Sequence, residues 1–64
     1  MKTYRIDCVD LKKDWESGYV GVSFKTGLAE VRKFLFPLSL HYVKNGKYWT
    51  TSDETGHQYF IHEL

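Results

Sequence analysis

Hydrophobic and polar residues alternate along the first part of the chain, in the pattern of β-strands. In TYRIDCVDL, every second side chain from Tyr4 to Cys8 is apolar or aromatic, and charged residues separate them. YVGVSFKT alternates in the same way after the charged segment KKDWESG. We therefore predict an antiparallel hairpin from residues 3–11 and 19–25, joined by a seven-residue loop that contains Trp15.

The period becomes helical in the next segment, GLAEVRKFLF. Leu28, Val31 and Leu35 fall on one side of a helix, which predicts an amphipathic helix packed on the sheet. The Thr26 hydroxyl is the predicted N-cap. Pro37 is expected to end the helix, because proline lacks an amide hydrogen and disfavours helical geometry in the residue before it.

The segment HYVKNGKYWTT contains the clearest turn signal. Asn-Gly between two β-rich runs is typical of a two-residue type I′ turn, because both turn positions need positive φ. Such a turn pairs Lys44 with Lys47 and Tyr42 with Trp49. We therefore expect these four side chains on one face of a hairpin.

The end of the chain predicts one more strand. SDETG is a second turn signal, with Gly56 in the left-handed conformation, and HQYFIHEL reads as the last strand. Trp49 faces Phe60 or Ile61, depending on whether the second loop has four residues or three. The sequence thus predicts a single α+β domain over residues 1–64, a mostly antiparallel β-sheet with one helix packed on it, in the order β-β-α-β-β-β.

Length and cysteine content narrow the class of protein. Sixty-four residues make one small domain, and Cys8, the single cysteine, cannot form an internal disulfide. The chain lacks the long apolar run of a signal peptide or a membrane span. We expect a cytoplasmic protein that does not bind membranes, and its small size fits a viral or mobile-element origin.

Residues with catalytic or metal-binding chemistry are sparse and dispersed. His57 and His62 are five positions apart on one predicted strand, so they point to opposite faces and cannot bind one ion. His41 can approach either of them through the sheet, but three dispersed histidines are typical of structural or exposed positions. Cys8 lies on the apolar face of its strand, where an inert thiol is expected. The sequence contains no phosphate-binding loop, nucleophile elbow or zinc-binding helix motif. We predict a protein that is not an enzyme and has no metal or cofactor.

Aromatic residues exceed what one short helix can cover, which favours a protein-binding surface. Trp15 lies among charged residues, where it is either a lid on the core or an anchor for a partner. The aromatic side chains would be anchors and the lysines would steer association. The residues predicted to bind a protein partner, whose identity is open, are Trp15, Tyr42, Lys44, Lys47 and Trp49. A homodimer through an edge strand or an exposed sheet face is a further expectation.

Charge distribution gives the alternative function, a small nucleic-acid-binding module. Residues 17–52 carry a net charge of +4, and aromatic residues lie among these cations. The residues predicted for this function are Arg32, Lys33, Lys44, Lys47 and Trp49. The sequence pI of about 7.9 is below the guide value of roughly 9 for such domains, so this function ranks second.

Two strands followed by SFKTGLAEVRKFL resemble the arm-type DNA-binding modules at the N-termini of phage integrases. The resemblance covers residues 4–36 and implies that the sheet enters the major groove, with Arg5 and Lys25 as candidate contacts. Four acidic residues depart from the basic sheet of that family and would repel phosphates. They are Asp7, Asp10, Asp14 and Glu16.

Overall fold

The computed structural model describes residues 2–13 and 17–64. Five strands and one helix make up this part of the chain, in the predicted order β-β-α-β-β-β. The elements are β1 Thr3–Asp10, β2 Tyr19–Thr26, α1 Leu28–Leu35, β3 His41–Lys44, β4 Lys47–Trp49 and β5 His57–Glu63. The predicted α+β fold is confirmed.

The strands form one antiparallel sheet in the order β2-β1-β5-β4-β3. The last strand, β5, lies between the two hairpins and pairs with β1 on one side and β4 on the other. Helix α1 follows the edge strand β2 and precedes the opposite edge strand β3. The sheet therefore depends on contacts between the two ends of the chain.

The core lies between α1 and one face of the sheet. Val31 and Leu35 are buried on the helix, as their spacing predicts. They pack against three sheet residues, Tyr4, Ile6 and Ile61. Because side chains alternate along a strand, the residues between these core positions point to the opposite face.

The helix begins differently from the prediction. Thr26 does not cap it, because β2 continues to this residue and pairs it with Thr3. Gly27 occupies the N-cap position with φ of 83°, and no side chain in the described ranges caps the helix. The Gly27 amide donates instead to the Lys2 carbonyl at 2.8 Å. The chain thus leaves the sheet through a residue that tolerates positive φ.

The Asn-Gly turn is confirmed. Asn45 and Gly46 have φ of 50° and 74°, the positive values that a type I′ turn requires. Lys44 pairs with Lys47 across the turn, as predicted.

The predicted pairing of Tyr42 with Trp49 is wrong. Tyr42 pairs with Tyr48, and His41 pairs with Trp49, because the register shifts between Tyr42 and Lys44. Val43 is the extra residue at this irregularity. A shift of one residue moves a side chain to the other face, so Tyr42 and Trp49 lie on opposite faces of the sheet.

In the second loop, Asp53 accepts hydrogen bonds from Thr55 and His57. Trp49, which precedes the loop, pairs with Phe60. Gly56 has φ of 87°, the left-handed conformation predicted for it. Among the described residues, no helix is long and apolar enough to cross a membrane.

Candidate functional site

The two faces of the sheet have different surroundings. One face packs against α1, whereas no element of residues 2–13 and 17–64 packs over the other, which we call the open face. Large apolar side chains remain in solvent there. Phe24 is 56% exposed and Val22 is 46% exposed, and Tyr19 at the start of the same strand is 57% exposed. An uncovered sheet face with this composition is typical of a binding surface.

Strand register aligns four basic side chains across the open face. Arg5 on β1 pairs with His62 on β5, and His62 pairs with Lys47 on β4. Lys47 pairs in turn with Lys44 on β3. Side chains at directly paired positions share a face, so these residues form a continuous row, called here the basic row. Its backbone positions span about 14 Å, since adjacent strands are about 4.8 Å apart.

A second line of side chains runs beside the basic row. Phe60 on β5 pairs with Trp49 on β4, and Trp49 pairs with His41 on β3. We call these three residues the aromatic row. The His41 and Trp49 rings stack with centroids 4.4 Å apart and an angle of 22° between their planes. The two rows are about 7 Å apart along the strands, so a ligand with both acidic and apolar groups can contact both.

A groove of about 600 Å³ lies over the centre of the open face. Its lining includes Arg5, Asp7, Tyr19, Trp49, Phe60 and His62. The lining combines aromatic side chains with charged ones. This combination resembles the centre of a protein interface, where aromatic residues and arginine are enriched.

Asp7 is the one carboxylate that lines this groove among the residues that the structure describes, and its neighbours balance its charge. Arg5 Nε lies 3.3 Å and His62 Nε2 lies 3.5 Å from Asp7 Oδ2. The Tyr19 hydroxyl donates to Asp7 Oδ1 at 3.3 Å. Desolvation and then the Asp7 carboxylate raise the pKa of Tyr19, so the phenol stays protonated at neutral pH. Within residues 2–13 and 17–64, neither Lys44 nor Lys47 forms an ion pair with a carboxylate.

The structure brings together some of the predicted site residues and separates others. Lys44, Lys47 and Trp49 share the open face, as the binding hypotheses require. Tyr42 lies on the helix side of the sheet, with its ring edge-on to Tyr48. Trp15 lies outside the described residues.

The helix residues of the nucleic-acid hypothesis are also separated from the hairpin. Arg32 and Lys33 are exposed on α1, which packs on the face opposite Trp49. A ligand on the open face therefore contacts the hairpin lysines and not these two helix residues.

The sequence did not predict that Arg5, named there only as a candidate DNA contact, shares a surface with His62, Phe60 and the hairpin residues. Alternation along β1 and β5 indicates which residues share a face within each strand. It does not indicate that β5 lies between β1 and β4, which is what aligns these residues with Lys47 and Trp49.

A second polar cluster lies on the helix side, around Tyr59. The Tyr59 hydroxyl donates to Asp53 Oδ2 at 3.4 Å. Burial and the neighbouring Cys8 raise the pKa of Tyr59 to about 12. Desolvation also raises the pKa of the Cys8 thiol. Both groups are therefore protonated at neutral pH, which makes the thiol a weak nucleophile.

Histidine and carboxylate residues are dispersed. His62 lies beside Asp7, whereas His57 Nε2 lies 4.0 Å from Asp10 Oδ2. Within residues 2–13 and 17–64, no three His, Cys, Asp or Glu side chains are grouped to hold a metal ion.

No protein family model, no curated protein and no solved structure matches this chain. The open face is therefore the feature from which a function can be inferred.

Proposed function

We propose that this chain is a small, non-enzymatic interaction protein of the cytoplasm that binds a protein partner through its open face and modulates that partner. The observation that carries the proposal is the aromatic and apolar surface of the open face, opposite the face that α1 covers. A small viral or mobile-element protein that acts by binding one partner fits this description.

Burial of these side chains supplies the driving force for binding. Transfer of apolar surface from water contributes roughly 25 cal/mol per Å². Trp49 and Phe60 form the centre of the surface and are paired with each other across β4 and β5. Aromatic residues at the centre of an interface commonly carry most of the binding energy. Trp49 is therefore the main anchor in this proposal, with Lys44 and Lys47 at its edge.

A nucleic acid is the second candidate partner, because the basic row lies directly beside the aromatic row. Base stacking on aromatic rings with phosphates on neighbouring cations is a known mode of single-strand binding. Two features favour a protein instead. Asp7 lies beside Arg5 and His62, and aliphatic side chains such as Val22 and Val43 offer no ring for stacking.

A matched pair of phenylalanine variants tests the proposal. Phe24 is 56% exposed on the open face, and Phe36 is 81% exposed just after α1. We expect Phe24→Ser to reduce retention of the partner from host extract, because it removes apolar contact area from the interface. Phe36→Ser removes the same group elsewhere and should leave retention unchanged.

The assay compares immobilised wild-type and variant proteins, with retained proteins quantified by mass spectrometry. A host protein retained by wild type and Phe36→Ser but lost with Phe24→Ser supports the open face. Equal retention by all three proteins would place the binding surface elsewhere.

A further inference from the structure

We propose that the partner contacts the open face with an acidic segment, an extended peptide whose carboxylates lie along the basic row and whose apolar side chains enter the aromatic groove. This inference rests on the proposed function, since it names the chemistry of the partner at the same face.

Charge on the open face favours an acidic partner. Arg5, Lys47 and Lys44 give three permanent positive charges in the basic row, and His62 adds a fourth when it is protonated. Asp7, which pairs with Phe60 of the aromatic row, is the only acidic residue on the open face among the residues that the structure describes. The excess positive charge is exposed, because Lys44 and Lys47 are both solvent-exposed and the Arg5 side chain is 43% exposed. Complementary charge on a partner would steer its association with this row.

The spacing of the cations fits an extended peptide. Arg5 and Lys47 lie two strands apart, which separates their backbones by about 10 Å. Acidic residues two positions apart in an extended segment point to the same side and are separated by roughly 7 Å. The long glutamate, arginine and lysine side chains cover the remaining distance, so two such carboxylates can contact Arg5 and Lys47 together.

The same charges argue against a second copy of this chain as the occupant. Stacking two open faces would bring two basic rows together, with one Asp7 carboxylate on each side to offset them. Like charges placed opposite each other across an interface oppose association.

Single-stranded nucleic acid fits the groove less well than an acidic peptide. Asp7 lies beside Arg5 and His62 at one end of the basic row and accepts a hydrogen bond from the Tyr19 hydroxyl. A phosphate chain carries a charge on every nucleotide and would meet this carboxylate, whereas the acidic residues of a peptide can be spaced to avoid it. One side of the Trp49 ring is already stacked on His41, which leaves a single side for a base.

Three defined probes distinguish these ligands by titration against the ¹⁵N-labelled protein. The first is a twelve-residue peptide of glutamate, serine and tyrosine, and the second replaces each glutamate by glutamine. The third is a twelve-nucleotide oligothymidylate. Amide shifts report the surface that each probe contacts, and their saturation gives an affinity.

Two double variants test the role of the basic row, one within the row and one elsewhere as its matched control. Lys44→Glu with Lys47→Glu reverses two charges in the basic row and retains a like-charged pair across the turn. Arg32→Glu with Lys33→Glu makes the same change in net charge on exposed positions of α1. Urea denaturation of both proteins would verify that each is folded.

We expect the glutamate peptide to shift amides of both rows and to bind at least about tenfold more weakly to the Lys44→Glu, Lys47→Glu protein, as reversal of two interfacial charges implies. The helix double variant should bind it like wild type. Affinity should also fall as salt rises, because exposed charges are screened.

The remaining outcomes overturn the inference, and they differ in what they say of the proposed function. Equal affinity for the glutamate and glutamine peptides at the open face would contradict an acidic partner. It would remain compatible with the proposed function, with a neutral protein partner. Tighter binding of oligothymidylate there would identify nucleic acid as the ligand. Absence of shifts in the two rows with either peptide would reject peptide binding at this face altogether.

Discussion

Gly46 is part of the turn that positions Lys44 and Lys47. This position requires glycine for steric reasons. Its φ is 74°, and an added Cβ would lie 2.5 Å from Glu63 Cβ on the adjacent strand. Turn chemistry of this kind is local, which is why Asn45-Gly46 and Gly56 could be predicted from the sequence.

We expect Gly46→Ala to lower the free energy of unfolding by about 2 kcal/mol, from left-handed strain together with the close contact. Urea denaturation would measure the change. Gly21→Ala is the control, since an added Cβ there meets nothing within 4 Å and its φ is not positive. A similar loss in both variants would mean that the turn conformation is not the cause.

Asp53 makes the second loop sensitive to acid. Its Oδ1 accepts hydrogen bonds from the Thr55 hydroxyl at 2.7 Å, the Thr55 amide at 2.9 Å and the His57 amide at 3.0 Å. The Thr55 hydroxyl is the largest cause that lowers the pKa of Asp53 from 3.8 to about 2.

A carboxyl group whose pKa is lower in the folded state than in the unfolded state stabilises the fold at pH values above its unfolded-state pKa. This stabilisation is lost as pH falls and the carboxylate binds a proton. The Asp53 contribution should therefore be complete above about pH 4 and disappear as pH falls toward about 2. Urea denaturation at several pH values in this window would show a smaller pH dependence for Asp53→Asn than for wild type. Glu54→Gln, which changes the exposed neighbour, should retain the wild-type dependence.

At the scale of elements, α1 was predicted well along its length and poorly at its start. Its apolar spacing identified Val31 and Leu35, which are buried. Its first residue could not be predicted, because Thr26 is held in β2 by pairing with Thr3, a residue far away in the sequence.

Val31 is 0% exposed at the contact of α1 with the sheet. We expect Val31→Ala to lower the free energy of unfolding by about 2 kcal/mol, through lost burial and the cavity that remains. Phe36→Ala, a change at an 81% exposed side chain, should have little effect in the same urea experiment. A small effect of Val31→Ala would mean that the helix contributes little to the core.

The hairpin β3-β4 shows the limit of predicting register from turn type. Lys44 and Lys47 pair as the Asn-Gly turn requires, but the irregularity at Val43 changes every pairing beyond it. Tyr42 consequently joins Tyr48 on the helix side, where the rings pack edge to face with centroids 5.4 Å apart. Trp49 therefore shares a face with Lys44 and Lys47, as predicted, whereas Tyr42 does not.

For the whole molecule, the position of β5 creates the candidate site. Residues at the two ends of the chain, Arg5 and His62, become neighbours only because β5 pairs with β1. The same strand pairs with β4 and brings Lys47 and Trp49 beside them. Strand order of this kind depends on pairing between distant parts of the chain. Alternation within each strand could therefore predict which residues share a face, but not which residues of different strands form the basic row and the aromatic row.

The central claim is that a partner covers the open face. Replacing Phe24 by the photo-crosslinking residue benzoylphenylalanine, and Phe34 in a parallel sample, tests it in cells. Phe24 is 56% exposed on the open face, and Phe34 is 45% exposed on α1, where Lys25 Nζ lies 4.7 Å from its ring centroid. A discrete protein adduct from position 24 and none from position 34 is the predicted result. Adducts from position 34 alone, or from neither position, would contradict a docking site on the open face.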